Sequence, residues 1–130
     1  MIRVAAIFAM CASAAQAADR PAPAYFVDAV MATTTAKQLA LACPQISINL
    51  AVVSGEAEVV MNQLKADGFD TGTETLGMVD PSQDIAVMQV AFMDKHKLAE
   101  GVATETVCTA AKAEIAEGSR IGTYLLEVDQ

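Results

Sequence analysis

Leu39 to Gly68 read LALACPQISINLAVVSGEAEVVMNQLKADG. Within this stretch Ile46, Leu50, Val53, Ala57, Val60 and Leu64 recur at steps of four, three, four, three and four. That is one continuous stripe on a helix of 3.6 residues per turn. The stretch opens on a Cys43-Pro44 break, because a proline disfavours the helical state of the residue before it. It closes on Asp67-Gly68, where glycine supplies a left-handed cap and Phe69 can fold back on the last turn. The spacing predicts a long helix from the Cys-Pro break to about Asp67, with the other elements packed around it. Gly55 costs about 1 kcal/mol in mid-helix and leaves room for a close neighbour.

Toward the N-terminus, Tyr25 to Cys43 favour a second helix. Phe26, Val30, Lys37 and Leu41 mark one line, and Val27, Met31 and Leu39 widen its apolar face. Thr33, Thr34 and Thr35 are β-branched and weaken its middle. Asp19 to Ala24, DRPAPA, offers little to pack and reads as a flexible lead-in. Residues 1–18 read as a signal peptide: Arg3 is the positive n-region, Val4 to Ala15 the apolar run, and Ala15-Gln16-Ala17 the small-x-small cleavage pattern. The apolar run is short of the roughly 20 residues that span a bilayer. Cleavage after Ala17 or Ala18 leaves about 112 of the 130 residues as one domain. An uncleaved anchor, or a lipoprotein modified at Cys11, fits these residues less well.

Toward the C-terminus, Asp70 can cap a short helix over Thr71 to Met78, against the preference of its glycines. Asp80-Pro81-Ser82-Gln83 is a helix start, with Asp80 accepting backbone hydrogens and Gln83 completing a capping box. The helix runs to about Leu98 on a stripe of Ile85, Met88, Phe92 and Ala99, widened by Val87, Val90 and Met93, and Gly101 ends it. Another, about Ala103 to Glu117, sets Cys108, Ala111 and Ile115 on one face before Gly118 stops it. The tail carries Ile121, Tyr124, Leu125 and Leu126 and reads as a short helix, with an extended strap as the alternative. No run alternates with period two. The expected fold is all-α: residues 19–130 as a single small bundle of four to six helices.

The formal charge of −8 becomes −9 without Arg3. Such acidity repels phosphate backbones and anionic lipid headgroups, which argues against a nucleic-acid partner. Without the leader two cysteines remain, Cys43 and Cys108. An even count in an exported chain reads as a disulfide; two buried free thiols are the bland alternative. Closing a loop of about 65 residues stabilises the fold by about 4 kcal/mol in the chain-entropy model.

Catalytic constellations are hard to find. His96 stands alone between Lys95 and Lys97, which reads as a solvated surface histidine near a helix C-terminus. With no second histidine, a zinc site would need an unusual ligand mixture, and no cofactor is expected. Asp67 to Glu74 resembles a calcium loop only superficially, because Phe69 falls where a second oxygen ligand belongs. Glu114 and Glu117 are helical neighbours that could raise each other's pKa, a pattern that solvated helix faces also produce. Ser54 and Ser119 lack a nucleophile-elbow setting. Met31, Met61, Met78, Met88 and Met93 suit a core at helical spacing, or an adaptable binding surface.

Cys43-Pro44-x-Ile46 and Cys108-x5-Glu114-Ile115-Ala116-Glu117-Gly118-Ser119-x2-Gly122-x2-Leu125-Leu126, with the Gly68-Phe69 break, resemble a family of small exported alphaproteobacterial proteins classed as a domain of unknown function. The resemblance implies an exported, helical, two-cysteine protein, and it brings no catalytic residues. In size and composition the chain also resembles periplasmic acid-stress chaperones. The expectation is therefore a non-enzymatic periplasmic protein that meets a protein partner in the cell envelope, through an apolar surface at Ile121, Tyr124, Leu125 and Leu126. An acid-activated chaperone and a small hydrolase are the alternatives.

Overall fold

The computed structural model describes residues 19–129, so the signal-peptide reading of residues 1–18 lies outside the described residues. Helix α1 (Ala24–Ala42) is the hub, packing against every other helix and against the hinge that follows it. Its buried residues, among them Val27, Met31, Ala32, Ala36 and Leu39, spread over more than half of the helix circumference, leaving Lys37, Gln38 and Leu41 on the exposed side. A helix with so broad an apolar face belongs inside a domain, whereas one with a single apolar stripe belongs at its surface. That corrects the expectation drawn from the stripe on the next helix. In α2 (Leu50–Ala66) only Val60 and Leu64 are buried. The threonines do not break α1; Thr33 donates its hydroxyl hydrogen to the Ala29 carbonyl at 2.8 Å.

The segment after Pro44 also departs from a helical reading. Ile46–Ile48 form a short strand, β1, and α2 begins only at Leu50, with the Asn49 side chain accepting from the Val52 N–H. The partner strand is β2 (Leu125–Glu127), antiparallel, with Ile46 opposite Glu127, Ser47 opposite Leu126 and Ile48 opposite Leu125. Asn49 N donates to the Tyr124 carbonyl at 2.8 Å, and Val128 N to the Gln45 carbonyl at 2.9 Å, which extends the ladder at both ends. Two β-branched isoleucines flanking a serine suit such a pairing. Three-residue strands are too short to show alternation in sequence.

Helix α3 (Ser82–His96) follows a run of turns over residues 71–78, where a short helix was expected. Leu76 and Gly77 both take positive φ there, which no right-handed helix accommodates. Asp80 accepts from the Ser82 N–H at 2.9 Å, as its position predicts. The helix stops short of Leu98: Lys97 takes φ 54° and Leu98 N bonds back to the Met93 carbonyl at 2.8 Å. Helix α4 (Thr104–Glu117) ends on Gly118, and a single turn, α5 (Arg120–Thr123), leads into β2. Gly68 and Gly118 both sit at positive φ behind their helices, as expected of C-terminal caps.

The fold is thus helical, with five helices and one two-stranded ribbon around a single disulfide among the described residues. Cys43 closes α1 and Cys108 lies in α4, their α-carbons 5.2 Å apart. Both belong to the main core, with Phe92, Ile121, Tyr124 and Leu125. A smaller cluster, Ala29, Val60, Leu64 and Met78, fills the other end under Phe69 and Tyr25. The Asp19–Ala24 lead-in, expected to be flexible, is tied to this end. Arg20 pairs with Met78, Val79 N donates to its carbonyl at 2.8 Å, and its guanidinium lies 3.8 Å from the Phe69 ring centre.

Candidate functional site

The tail residues expected to form a contact surface are mostly inside. Tyr124 is 1% exposed, Ile121 and Leu125 are also buried, and only Leu126, at 46%, faces outward. The β1–β2 ribbon turns Leu125 inward and Leu126 outward, and the α5 turn packed on α1 and α4 carries Ile121 and Tyr124 into the main core. The Tyr124 hydroxyl accepts from Arg120 Nε at 3.1 Å, and Arg120 Nη2 reaches Glu56 at 3.1 Å, so the tail is also bound to α2.

Two features remain as candidate sites. The first is a polar cluster where the C-terminal ends of α3 and α4 meet α5. Glu114 is 2% exposed. Its Oε1 accepts from Lys95 Nζ at 2.8 Å and lies 2.6 Å from His96 Nε2, while its Oε2 accepts from the Ser119 hydroxyl. An ionised carboxylate only accepts, so His96 Nε2 carries the hydrogen in this pair. Lys95 also donates to Glu117 Oε2 at 2.7 Å. Ser119 in turn accepts from the Gly122 N–H at 3.0 Å and caps α5.

His96 is therefore not the solvated histidine expected from its neighbours; its side chain is 10% exposed and its ring centre lies 4.8 Å from that of Phe92. Glu114 is not raised by its helical neighbour, as the spacing to Glu117 suggested it could be. Burial, the largest single influence on Glu114, opposes its charge. Hydrogen bonds from Lys95, Ser119 and His96 together outweigh burial and hold its pKa below the usual carboxylate value. Lys95 is held above its usual value by its hydrogen bonds to Glu114 and then Glu117. The Ser119 hydroxyl donates to a carboxylate and not to an imidazole, while its oxygen accepts from the Gly122 N–H. The arrangement joins three helix ends.

The second feature is an apolar groove of about 230 Å³ between α1 and α2. Phe26, Val30, Ala57, Val60 and Met61 line it, and the buried Tyr124 ring closes one side. It exists because α2 touches the domain along a narrow line, leaving Met61 partly exposed at the opening. The sequence holds a signal for it in the small residue Ala57 on a helix otherwise rich in valine.

Among the described residues, no group of three or more histidine, cysteine or acidic side chains is placed to hold a metal ion. No helix among them is long and apolar enough to cross a membrane. No curated protein and no solved structure matches the chain. The model of one family of unknown function, DUF5333, matches residues 21–126, from the lead-in through the disulfide to the tail strand, and the chain belongs to that family.

Proposed function

We propose that this protein is exported to the periplasm and works there without catalysis, by binding a protein partner in the α1–α2 groove. The groove is the observation that carries the reading: it is apolar, open, and sized for one or two large side chains. A chain of net charge −8 favours a partner whose apolar anchor is flanked by lysine or arginine. Export is supported by the leader-like residues 1–18 and is compatible with the disulfide. The test is crosslinking in the native cell envelope, followed by purification and mass spectrometry, on the parent and on Ala57→Arg. Ala57 is exposed, so the bulky side chain fills the groove without disturbing the core. One dominant partner, present at near-equal amount and lost in Ala57→Arg, supports the reading. Recovery of the same proteins from both, or of the chain alone, sinks it.

A second reading, an acid-activated chaperone, is favoured by the Glu114 cluster. Protonating that carboxylate removes the anchor of Ser119 and loosens the tail that covers Ile121, Tyr124 and Leu125. Binding of an apolar dye that rises steeply at about pH 2–3 supports it; dye binding that stays flat over the same range removes it.

A further inference from the structure

Helix α3 carries a second apolar face that its own chain leaves uncovered. Ile85, Met88 and Phe92 pack inward, yet Val87 is 66% and Val90 58% exposed, with Ala86 and Ala91 exposed beside them. These four lie on one outward strip, since 86, 87, 90 and 91 are i, i+1, i+4 and i+5 of a helix. Their order is a palindrome: Ala86-Val87-Met88-Gln89-Val90-Ala91 reads Ala-Val from either end, about the midpoint of Met88 and Gln89.

We propose that this strip is where a second copy of the same chain docks, with the two α3 helices antiparallel about a two-fold axis at that midpoint. A two-fold contact must match a surface with itself. Here Val87 meets Val90 of the partner subunit and Ala86 meets Ala91 of the partner subunit, the alanines letting the helices approach. Further out the same axis sets Gln83 opposite Asp94, an amide that can donate to a carboxylate. No like charges face each other. A parallel pairing instead stacks Asp94 on Asp94 and aligns the helix dipoles unfavourably. One helix pair is small for an interface, and each copy carries −8, so the association is weak and concentration-dependent.

The test is sedimentation of the purified disulfide-bonded chain from about 10 μM to about 1 mM at about 0.15 M salt, where charge repulsion is screened beyond about 8 Å. A dimer fraction that rises with concentration is expected. The double substitution Val87→Asp with Val90→Asp, at exposed positions that leave the fold intact, weakens it at least about tenfold. Gln83→Lys faces Asp94 of the partner subunit and tightens association, whereas Gln83→Glu weakens it. A chain that stays monomeric throughout overturns the proposal. So does a dimer indifferent to the double substitution, or Gln83 variants that shift together or in the reverse order.

Discussion

The backbone of Gly122 lies directly against that of Glu114: a β-carbon at position 122 would collide with the Glu114 carbonyl group and fall 2.7 Å from the Ile115 nitrogen. No side chain can yield there, because both obstacles are backbone. Glycine is what lets α5 pack directly on the last turn of α4, and what lets Ser119 reach the carboxylate below it. Gly122→Ala is therefore expected to destabilise the fold by about 3 kcal/mol or more. Gly55 offers the contrast. It lies inside α2, and a β-carbon added there would meet nothing within 4 Å, so Gly55→Ala is expected to stabilise by about 0.5–1 kcal/mol. Urea midpoints of the two variants check both signs.

The carboxylate of Glu114 makes a second prediction. Its folded pKa is lowered, so the stability it contributes is present above the ordinary carboxylate pKa and is lost as pH falls through the folded value. Glu114→Gln keeps the shape and removes the charge, and is expected to cost about 2–3 kcal/mol at pH 7. The gap between parent and variant should narrow as pH drops below the usual carboxylate range. Denaturation curves at stepped pH measure it, and a gap that stays constant into strong acid contradicts the assignment.

Local chemistry is what the sequence makes legible. Gly68 and Gly118 announce their caps because glycine is favoured at positive φ, and Asp80 announces α3 through its turn. The cysteine pair is legible because Cys43 and Cys108 are the two cysteines outside the leader-like residues 1–18. Long-range relationships are not legible in the same way. The stripe on α2 suggests centrality, although a one-sided stripe marks a surface helix and the broadly apolar α1 marks the core. Ile46–Ile48 need Leu125–Glu127 to become a strand, and three residues carry no period of their own. Lys95 and His96 meet Glu114 from a different helix, so the sequence shows only charges. The one local hint of that cluster is Ser119 with Gly122 three residues on, the pattern of a capping hydroxyl beside a close approach.

Tyr25 ties the start of α1 to the end of α2 by donating its hydroxyl hydrogen to Asp67 Oδ2 at 2.7 Å. Burial of the ring, then the hydrogen bond and the charge of Asp67, push its pKa up to about 12, against a smaller lowering by Arg20. A phenol whose folded pKa is raised contributes stability that is full below its ordinary value and is lost as pH climbs through the folded one. Asp67→Asn removes the charge but leaves the burial, so it is expected to bring the Tyr25 ionisation only part of the way down toward about 10, the usual value for tyrosine. Ultraviolet titration of phenolate in the two proteins shows it. An unchanged titration means Asp67 does not govern the phenol.

Thr35 is the one buried side chain among the described residues whose polar atom finds no partner. It sits in the middle of α1, facing the cleft toward Phe92 and Leu39, and is 4% exposed. Thr33, two residues earlier, satisfies its hydroxyl on the backbone carbonyl four residues back; Thr35 does not. An unmade hydrogen bond in an apolar setting leaves the desolvation of the hydroxyl uncompensated. Valine has nearly the same shape without that cost, so Thr35→Val is expected to stabilise by about 1 kcal/mol. Thr33→Val, which removes a bond that is made, is expected to do the opposite. Melting temperatures of the pair decide the matter: if Thr35→Val melts lower than the parent, the hydroxyl has a partner in solution and α1 is better satisfied than its geometry indicates.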